Sequence, residues 1–338
     1  MRVLVTGGMG FIGSHLCHRL QLEGYDLAII DPQKNYSRVP DPERSFNLHE
    51  RKRYLTADVR ISALALGNGH SEIKEFIQTF EPTHVVHLAA NPLADVVEKD
   101  PEQGRRDIVT ATKELLDRLK ETSAFKRFIY ISSSMVYGDF TNGSANEDDP
   151  LKPLNHYGRF KLEAEELVRS TCQNLGWEFV ILRPTAVYGP NDNNARVVQK
   201  MLQSALNTGR ITVCGAEERL DFTYVSDVAD GIYLALKSPE SNGHAFNIAF
   251  GKSRSLTELA EIIARFIPGT KIEFTERDRR LPRRGSMCIQ KARTILGFSP
   301  RIDLESGVHQ YADYLFTQRR LLEKNSSRDQ LKPLHLLK

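Results

Sequence analysis

Tyr157 and Lys161 stand four residues apart, in Tyr157-Gly-Arg-Phe-Lys161, about two dozen residues after a run of hydroxyls, Ser132-Ser133-Ser134. Residues i and i+4 share one face of a helix, so this spacing sets an ammonium beside a phenol. A free tyrosine titrates near ~10, too high for a base at neutral pH. A neighbouring cation favours the phenolate and lowers that barrier. A serine hydroxyl on the same substrate oxygen would share the proton and orient the alcohol. Such a set takes a proton from an alcohol while the carbinol carbon gives up a hydride, and the hydride needs an acceptor.

The start of the chain supplies a place for that acceptor. Val3-Leu4-Val5-Thr6 reads as a β-strand and runs straight into Gly7-Gly8-Met9-Gly10-Phe11-Ile12-Gly13, with a helical pattern following. Gly7 permits the tight turn, Gly10 lets a pyrophosphate approach the backbone, and Gly13 allows close helix–strand packing. The helix N-terminus attracts the phosphate charge. Asp31 ends the second apolar run, near the ~20-residue offset of the acid that binds an adenosine ribose. A carboxylate there accepts from both ribose hydroxyls and repels a 2′-phosphate, which favours NAD over NADP.

These residues need a scaffold. The predicted strands are Arg2–Thr6, Leu27–Asp31, a short one after Tyr54 closing at Val59, Val85–Ala89, Arg127–Ser132 and Phe179–Arg183. Helical spacing is read over Gly13–Glu23, Ile108–Lys120, Val197–Asn207 and Ser226–Leu236, and a short strand over Ile211–Val213. Phe246–Ala249 is expected to return to the main sheet as a late strand. Ser255 with Glu258 makes a capping-box pattern ahead of the amphipathic Leu259–Phe266. Apolar strands alternating with helices imply a parallel sheet buried on both faces. Arg38–Arg53, charged and Pro-containing, is predicted to be a surface insertion. The fold class that follows is α/β: a doubly wound parallel Rossmann sheet with a smaller C-terminal α/β substrate lobe. Residues 1–183 plus about 225–250 would form the first, about 184–224 plus 251–323 the second, and 324–338 a polar tail.

Bulk composition narrows the classes. The chain has 338 residues, 40% hydrophobic and 26% charged, with a net charge of +3. That charge is too small to imply a nucleic-acid or membrane partner. Four cysteines lie far apart without Cys-x-x-Cys spacing, which argues against a zinc site or a disulfide framework and suits the cytoplasm. The first strand begins at Arg2, leaving no room for a signal peptide. No apolar run reaches the ~18–20 residues that span a bilayer.

Taken together, the glycine spacing and the later motifs resemble the extended branch of the short-chain dehydrogenase/reductase superfamily, the nucleotide-sugar epimerases and dehydratases. Ser133-Ser134-Met135-Val136-Tyr137-Gly138 is similar to the family's Ser/Thr-x-x-Val-Tyr-Gly, and that register selects Ser133 as the catalytic serine. Asp58-Val59 resembles the adenine-contacting pair, and His87-Leu88-Ala89-Ala90 the segment whose backbone runs under the cofactor. Pro184 and Val187 belong to a stretch, Leu182–Pro190, similar to the one that closes over the nicotinamide. Tyr224-Val225-Ser226-Asp227-Val228 and Leu296-Gly297-Phe298-Ser299-Pro300 carry the likeness to about residue 315. The resemblance implies bound NAD, a nucleotide-diphosphate sugar as substrate, and a homodimer.

The chain also departs from that family. Dehydratases carry an acid pair, or a Glu, just after the catalytic Ser/Thr; here Ser134 and Met135 stand there. Ala186 replaces an Asn, Leu220 an Arg with Arg219 one position earlier, and Asp107-Ile108-Val109-Thr110 an Asn-x-Gly-Thr turn. For the diphosphate the candidates are Arg284, then Arg283, in the basic stretch Arg277–Gly285, with Arg196 at a helix start and Arg219. The expected activity is epimerisation at C4 through a transient 4-keto sugar. A nucleotide-4-keto-sugar reductase is the alternative, with a dehydratase disfavoured; a catalytically idle NAD-binding scaffold is the non-enzymatic one.

Overall fold

A computed structural model describes residues 1–278 and 282–330, with the backbone alone described at 141 and 325–330. The chain opens with β1 (Arg2–Thr6), α1 (Phe11–Leu22), β2 (Asp26–Ile30), α2 (Asp41–Arg53), β3 (Arg60–Ser62), α3 (Ser71–Phe80) and β4 (His84–His87). Next come α4 (Ala94–Lys99), α5 (Pro101–Arg105), a π-helical turn (Arg106–Thr110), α6 (Ala111–Leu119) and β5 (Arg127–Ile131). A 3₁₀ turn (Ser134–Tyr137), β6 (Ser144–Ala145), α7 (His156–Leu175) and β7 (Glu178–Pro184) follow.

Among the described residues, seven parallel strands form the central sheet, in the order β12-β7-β5-β4-β1-β2-β3, where β12 is a late strand, Ala245–Ile248. The order reverses between β1 and β4, and an open α/β sheet binds its ligands at that switch point, beyond the carboxyl ends of the strands. Side chains alternate between the two faces, and both are buried. Val3, Val5 and Ile29 pack against Leu16 and Leu20 of α1, while Leu4, Ile30 and Val85 pack on the other side with Ile73, Ile77, Leu115 and Leu116. That double burial is why the strands read as continuous apolar runs.

Between β7 and β12 lie β8 (Val187–Tyr188), α8 (Val197–Thr208), β9 (Arg210–Cys214), β10 (Arg219–Leu220), β11 (Thr223–Tyr224) and α9 (Val225–Lys237). The chain then runs through β13 (Arg254–Ser255), α10 (Leu256–Phe266), β14 (Lys271–Thr275), β15 (Ser286–Met287), α11 (Gln290–Leu296) and α12 (Leu304–Gln330). A separate buried cluster, with Met201, Leu202, Ile211, Val213, Leu259, Ile263, Val308 and Tyr311, holds the smaller C-terminal layer together. The Ser255–Glu258 capping box at α10 forms as its spacing predicts.

Two expectations are corrected. The third strand begins after Val59 rather than closing there. The stretch 38–53 is not a surface insertion throughout, because α2 buries Asn47 and Arg51. Helix α12 runs to Gln330, past the start of the expected tail; residues 331–338, like Arg279 and Arg280 of the basic stretch, lie outside the described residues.

Candidate active site

A cleft of about 410 Å³ opens at the carboxyl ends of the strands, and the glycine loop forms its floor. The chain turns at Gly7 with φ +74°, and Gly10 N–H donates to Gly7 O at 3.0 Å. The loop is packed to contact. A Cβ at Gly13 would stand 2.1 Å from Gly7 O, and one at Gly7 would stand 2.9 Å from Ala89 N. No side chain caps the N-terminus of α1. The first amides of that helix and the positive end of its dipole therefore stay open to an anion. Gly7, Gly10, Phe11, Ile12 and Gly13 line the cleft on this side, and Leu88, Ala89 and Ala90 line it from the end of β4. The arrangement fits a dinucleotide pyrophosphate.

Asp31 lies at the cleft edge just past β2. Its Oδ2 accepts from Met9 N–H at 2.9 Å and its Oδ1 from Gln33 N–H at 2.7 Å. Burial pushes its carboxyl up from the ordinary value, while those two amides pull it back. Asp58 and Val59 are not brought to the site. They precede β3, Asp58 is exposed, and neither lines the cleft. Ala65 and Leu66, beyond β3, line it instead. Sequence reasoning also missed Arg51, whose Nη1 donates to Met9 O at 2.9 Å while its Nη2 reaches Asn191 O. Arg51 and Asn47 lie one turn apart on the inward face of α2, and a polar inward face carries no hydrophobic period that would reveal it.

Ser133, Tyr157 and Lys161 converge at the other end. Asn155 caps α7 by accepting from Gly158 N–H at 2.8 Å. Gly158 lies so close to the serine segment that a Cβ there would stand 2.6 Å from Met135 O. This contact brings the first turn of α7 against Ser133. Burial pushes the Tyr157 phenol up, offset by the Arg196 charge and a hydrogen bond with the Ser133 hydroxyl. The Lys161 Nζ donates to Ile131 O at 2.8 Å and lies 5.9 Å from the Tyr157 ring centroid. Burial brings its ammonium down to about 7, against the pull of the Glu165 carboxylate one turn further along α7. Glu165 is itself clamped by Arg183 through two bonds, at 2.7 and 2.9 Å, with both side chains buried. Pro184, Thr185, Ala186 and Val187 close this end. Ala186 has φ +39°, a region that Asn adopts more readily than Ala.

The four arginines separate. Arg196, at the start of α8, lines the cleft, pairs with Asp192 at 3.2 Å and lies 5.7 Å from the Phe11 ring centroid. Arg284 also lines it, with Nη1 on Ser134 O at 2.8 Å and Nη2 on Ser134 Oγ at 3.1 Å. Arg283 is exposed and turned away, its backbone bonded to Asp139 and Phe140. Arg219 is spent on Ser253 and Glu258, outside the cleft. Among the described residues, no group of His, Cys, Asp or Glu could hold a metal ion, and no helix is long and apolar enough to cross a membrane.

Residues 3–249 match the model of the NAD dependent epimerase/dehydratase family. This chain belongs to that family. The chain is similar to an uncharacterized UDP-glucose epimerase of Bacillus subtilis, 29% identical, with 93% of this chain and 98% of that one covered. A putative UDP-glucose 4-epimerase of Methanocaldococcus jannaschii is 28% identical over 94% and 99% of the two chains. Among solved structures, the UDP-glucuronic acid 4-epimerase of Bacillus cereus, in complex with UDP-glucuronic acid and NAD, superposes with a TM-score of 0.84 at 27% identity, covering 95% of this chain and all of that one. The fold is thus that of the extended short-chain dehydrogenases/reductases, and the cofactor of this epimerase/dehydratase family member is NAD.

Proposed function

We propose that this protein is a C4 epimerase of UDP-sugars that works as a dimer. The observation that carries the reading is the joining of Ser133, Tyr157 and Lys161 at a cleft end where no carboxylate stands among the described residues; the described acids lining the cleft are Asp31 and Asp107, beside the loop after β2. With Ser134 and Met135 at the catalytic strand end, there is no general acid there to expel a sugar hydroxyl, which disfavours dehydration. Epimerisation needs none, because the C–O bond stays intact.

In this reading Tyr157 removes the proton from the C4 hydroxyl, and Ser133 holds that oxygen in line. Bound NAD supplies the acceptor for the C4 hydride and its source on return. Lys161 steadies the nicotinamide ribose and, when charged, favours the phenolate. The sugar turns as a 4-keto species, and Tyr157 gives the proton back on the other face. Asp31 receives the adenosine ribose, and Arg196 stands ready for the diphosphate. Among known proteins, the UDP-sugar 4-epimerases at 27–29% identity support the substrate class.

The test is to incubate the protein with UDP-hexoses and follow isomers by NMR while measuring bound and free NAD. Isomer formation with NAD retained supports the reading. Stoichiometric consumption of NADH without any isomer would overturn it in favour of a 4-keto-sugar reductase.

A further inference from the structure

Arg284 lines the catalytic end of the cleft. Its guanidinium touches the Ser134 carbonyl, the Ser134 hydroxyl and the Met135 sulfur at 2.8–3.1 Å, and stacks 4.9 Å from the Phe140 centroid. These are fewer contacts than it has N–H donors, and all are to neutral groups. Among the described residues no carboxylate lies within ion-pair distance of it. Ser132, two residues before Ser134 in the chain, is buried to 3% exposure with a hydroxyl that has no partner, and it too lines the cleft. A half-buried cation without a carboxylate partner among the described residues, in a cleft that also holds an unspent buried hydroxyl, forms an anion site.

Where this site lies decides which anion it receives. Ser134 and Met135 directly follow Ser133, so Arg284 stands at the end of the cleft that holds the reacting C4 oxygen. On a hexopyranose the diphosphate hangs from C1, across the ring. The groups next to C4 are the C3 hydroxyl and the C6 substituent. A neutral hydroxymethyl at C6 leaves the guanidinium unmatched. A carboxylate at C6 meets it with two parallel N–H···O bonds, the pairing for which the arginine fork is shaped.

Building on the epimerase reading, we propose that the sugar taken by this site is a hexuronic acid, its C6 carboxylate received by Arg284 with the hydroxyls of Ser132 and Ser134. The enzyme then interconverts C4-epimeric UDP-hexuronates. It discriminates against neutral UDP-hexoses because they leave the Arg284 cation unmatched.

The experiment compares UDP, UDP-glucose and UDP-glucuronic acid on the NAD-bound protein, by calorimetry and by isomer formation. The wild type should favour UDP-glucuronic acid in kcat/KM by about 10²-fold or more, the worth of one charge-assisted bidentate pair. Arg284→Met should erase that preference and leave the affinity for UDP within about threefold. Wild-type selectivity alone tests the proposal if the variant does not fold. Tyr157-dependent isomerisation of UDP-glucose as fast as that of UDP-glucuronic acid overturns this inference and leaves the epimerase reading standing. An equal loss of affinity for UDP and for UDP-glucuronic acid in Arg284→Met also overturns it, by assigning the arginine to the phosphates. If no UDP-sugar is isomerised, the epimerase reading fails, and Arg284-dependent preference in binding between the two sugars decides this one.

Discussion

Gly13→Ala tests whether the glycine loop is built for a pyrophosphate. The added methyl would stand 2.1 Å from Gly7 O and 2.8 Å from Gly8 Cα, both backbone atoms that cannot swing aside. Restoring ordinary contact at 3.4 Å requires the turn and α1 to separate by about 1.3 Å. Overpacking of this kind costs about 1–3 kcal/mol of stability. The larger effect falls on the cofactor. An N–H···O contact of about 2.9 Å opened by that much ceases to be a hydrogen bond. Losing two amide bonds to a charged phosphate, each about 1.5–3 kcal/mol, weakens binding by at least about 10²-fold. Gly24→Ala is the control. Unlike Gly13 it sits at positive φ, +74°, and its Cβ would meet nothing within 4 Å. It should cost about 1–2 kcal/mol of backbone strain and leave the cofactor alone. The assay is calorimetric titration of NAD into stripped protein, with circular dichroism to confirm folding. A folded Gly13→Ala protein that binds NAD within threefold of wild type refutes the reasoning.

Tyr157→Phe should lower kcat by about 10²–10⁴ with NAD retention unchanged, measured as isomer formation and as cofactor released on denaturation. Lys161 makes the free protein's stability pH-dependent. Its ammonium titrates at about 7 when folded and near ~10.4 when unfolded, so between those values the unfolded chain holds the extra proton and stability from this group rises with pH. Urea unfolding at pH 7 and pH 9 should show that rise in the wild type and not in Lys161→Met; equal slopes sink the assignment. Arg183→Met strands the Glu165 carboxylate in the core and should cost about 3–5 kcal/mol in urea unfolding, most of it regained in Arg183→Met with Glu165→Leu.

Much of the site was legible because its parts are local. The glycine loop is one contiguous turn, and Tyr157 and Lys161 are one helical turn apart. The strand β1 spans the residues its apolar run predicts, Arg2–Thr6. Such features depend on spacing along the chain, and spacing is what a sequence records. The departure at Ser134 and Met135 is equally visible without coordinates.

What the tertiary structure alone decided were choices between neighbours. Arg283 and Arg284 are adjacent and chemically alike. Only docking of that segment against Asp139 and Phe140 sends the first outward and the second onto Ser134. The pairing of Ile29 with Ile61 and Ile30 with Ser62 puts the end of β3 beyond Asp58, which the sequence alone places at that end. Arg51 looked like surface charge until α2 folded it beneath Met9 and Asn191. The sequence by itself determined the glycine loop and the Tyr157–Lys161 pair, because their geometry is set by bonds and helical pitch, whereas the packing of Gly158 on Met135 brings Ser133 to them. The directions taken by Arg51 and Arg284 depend on partners over a hundred residues away, Asn191 and Ser134, and only the folded chain brings those partners together.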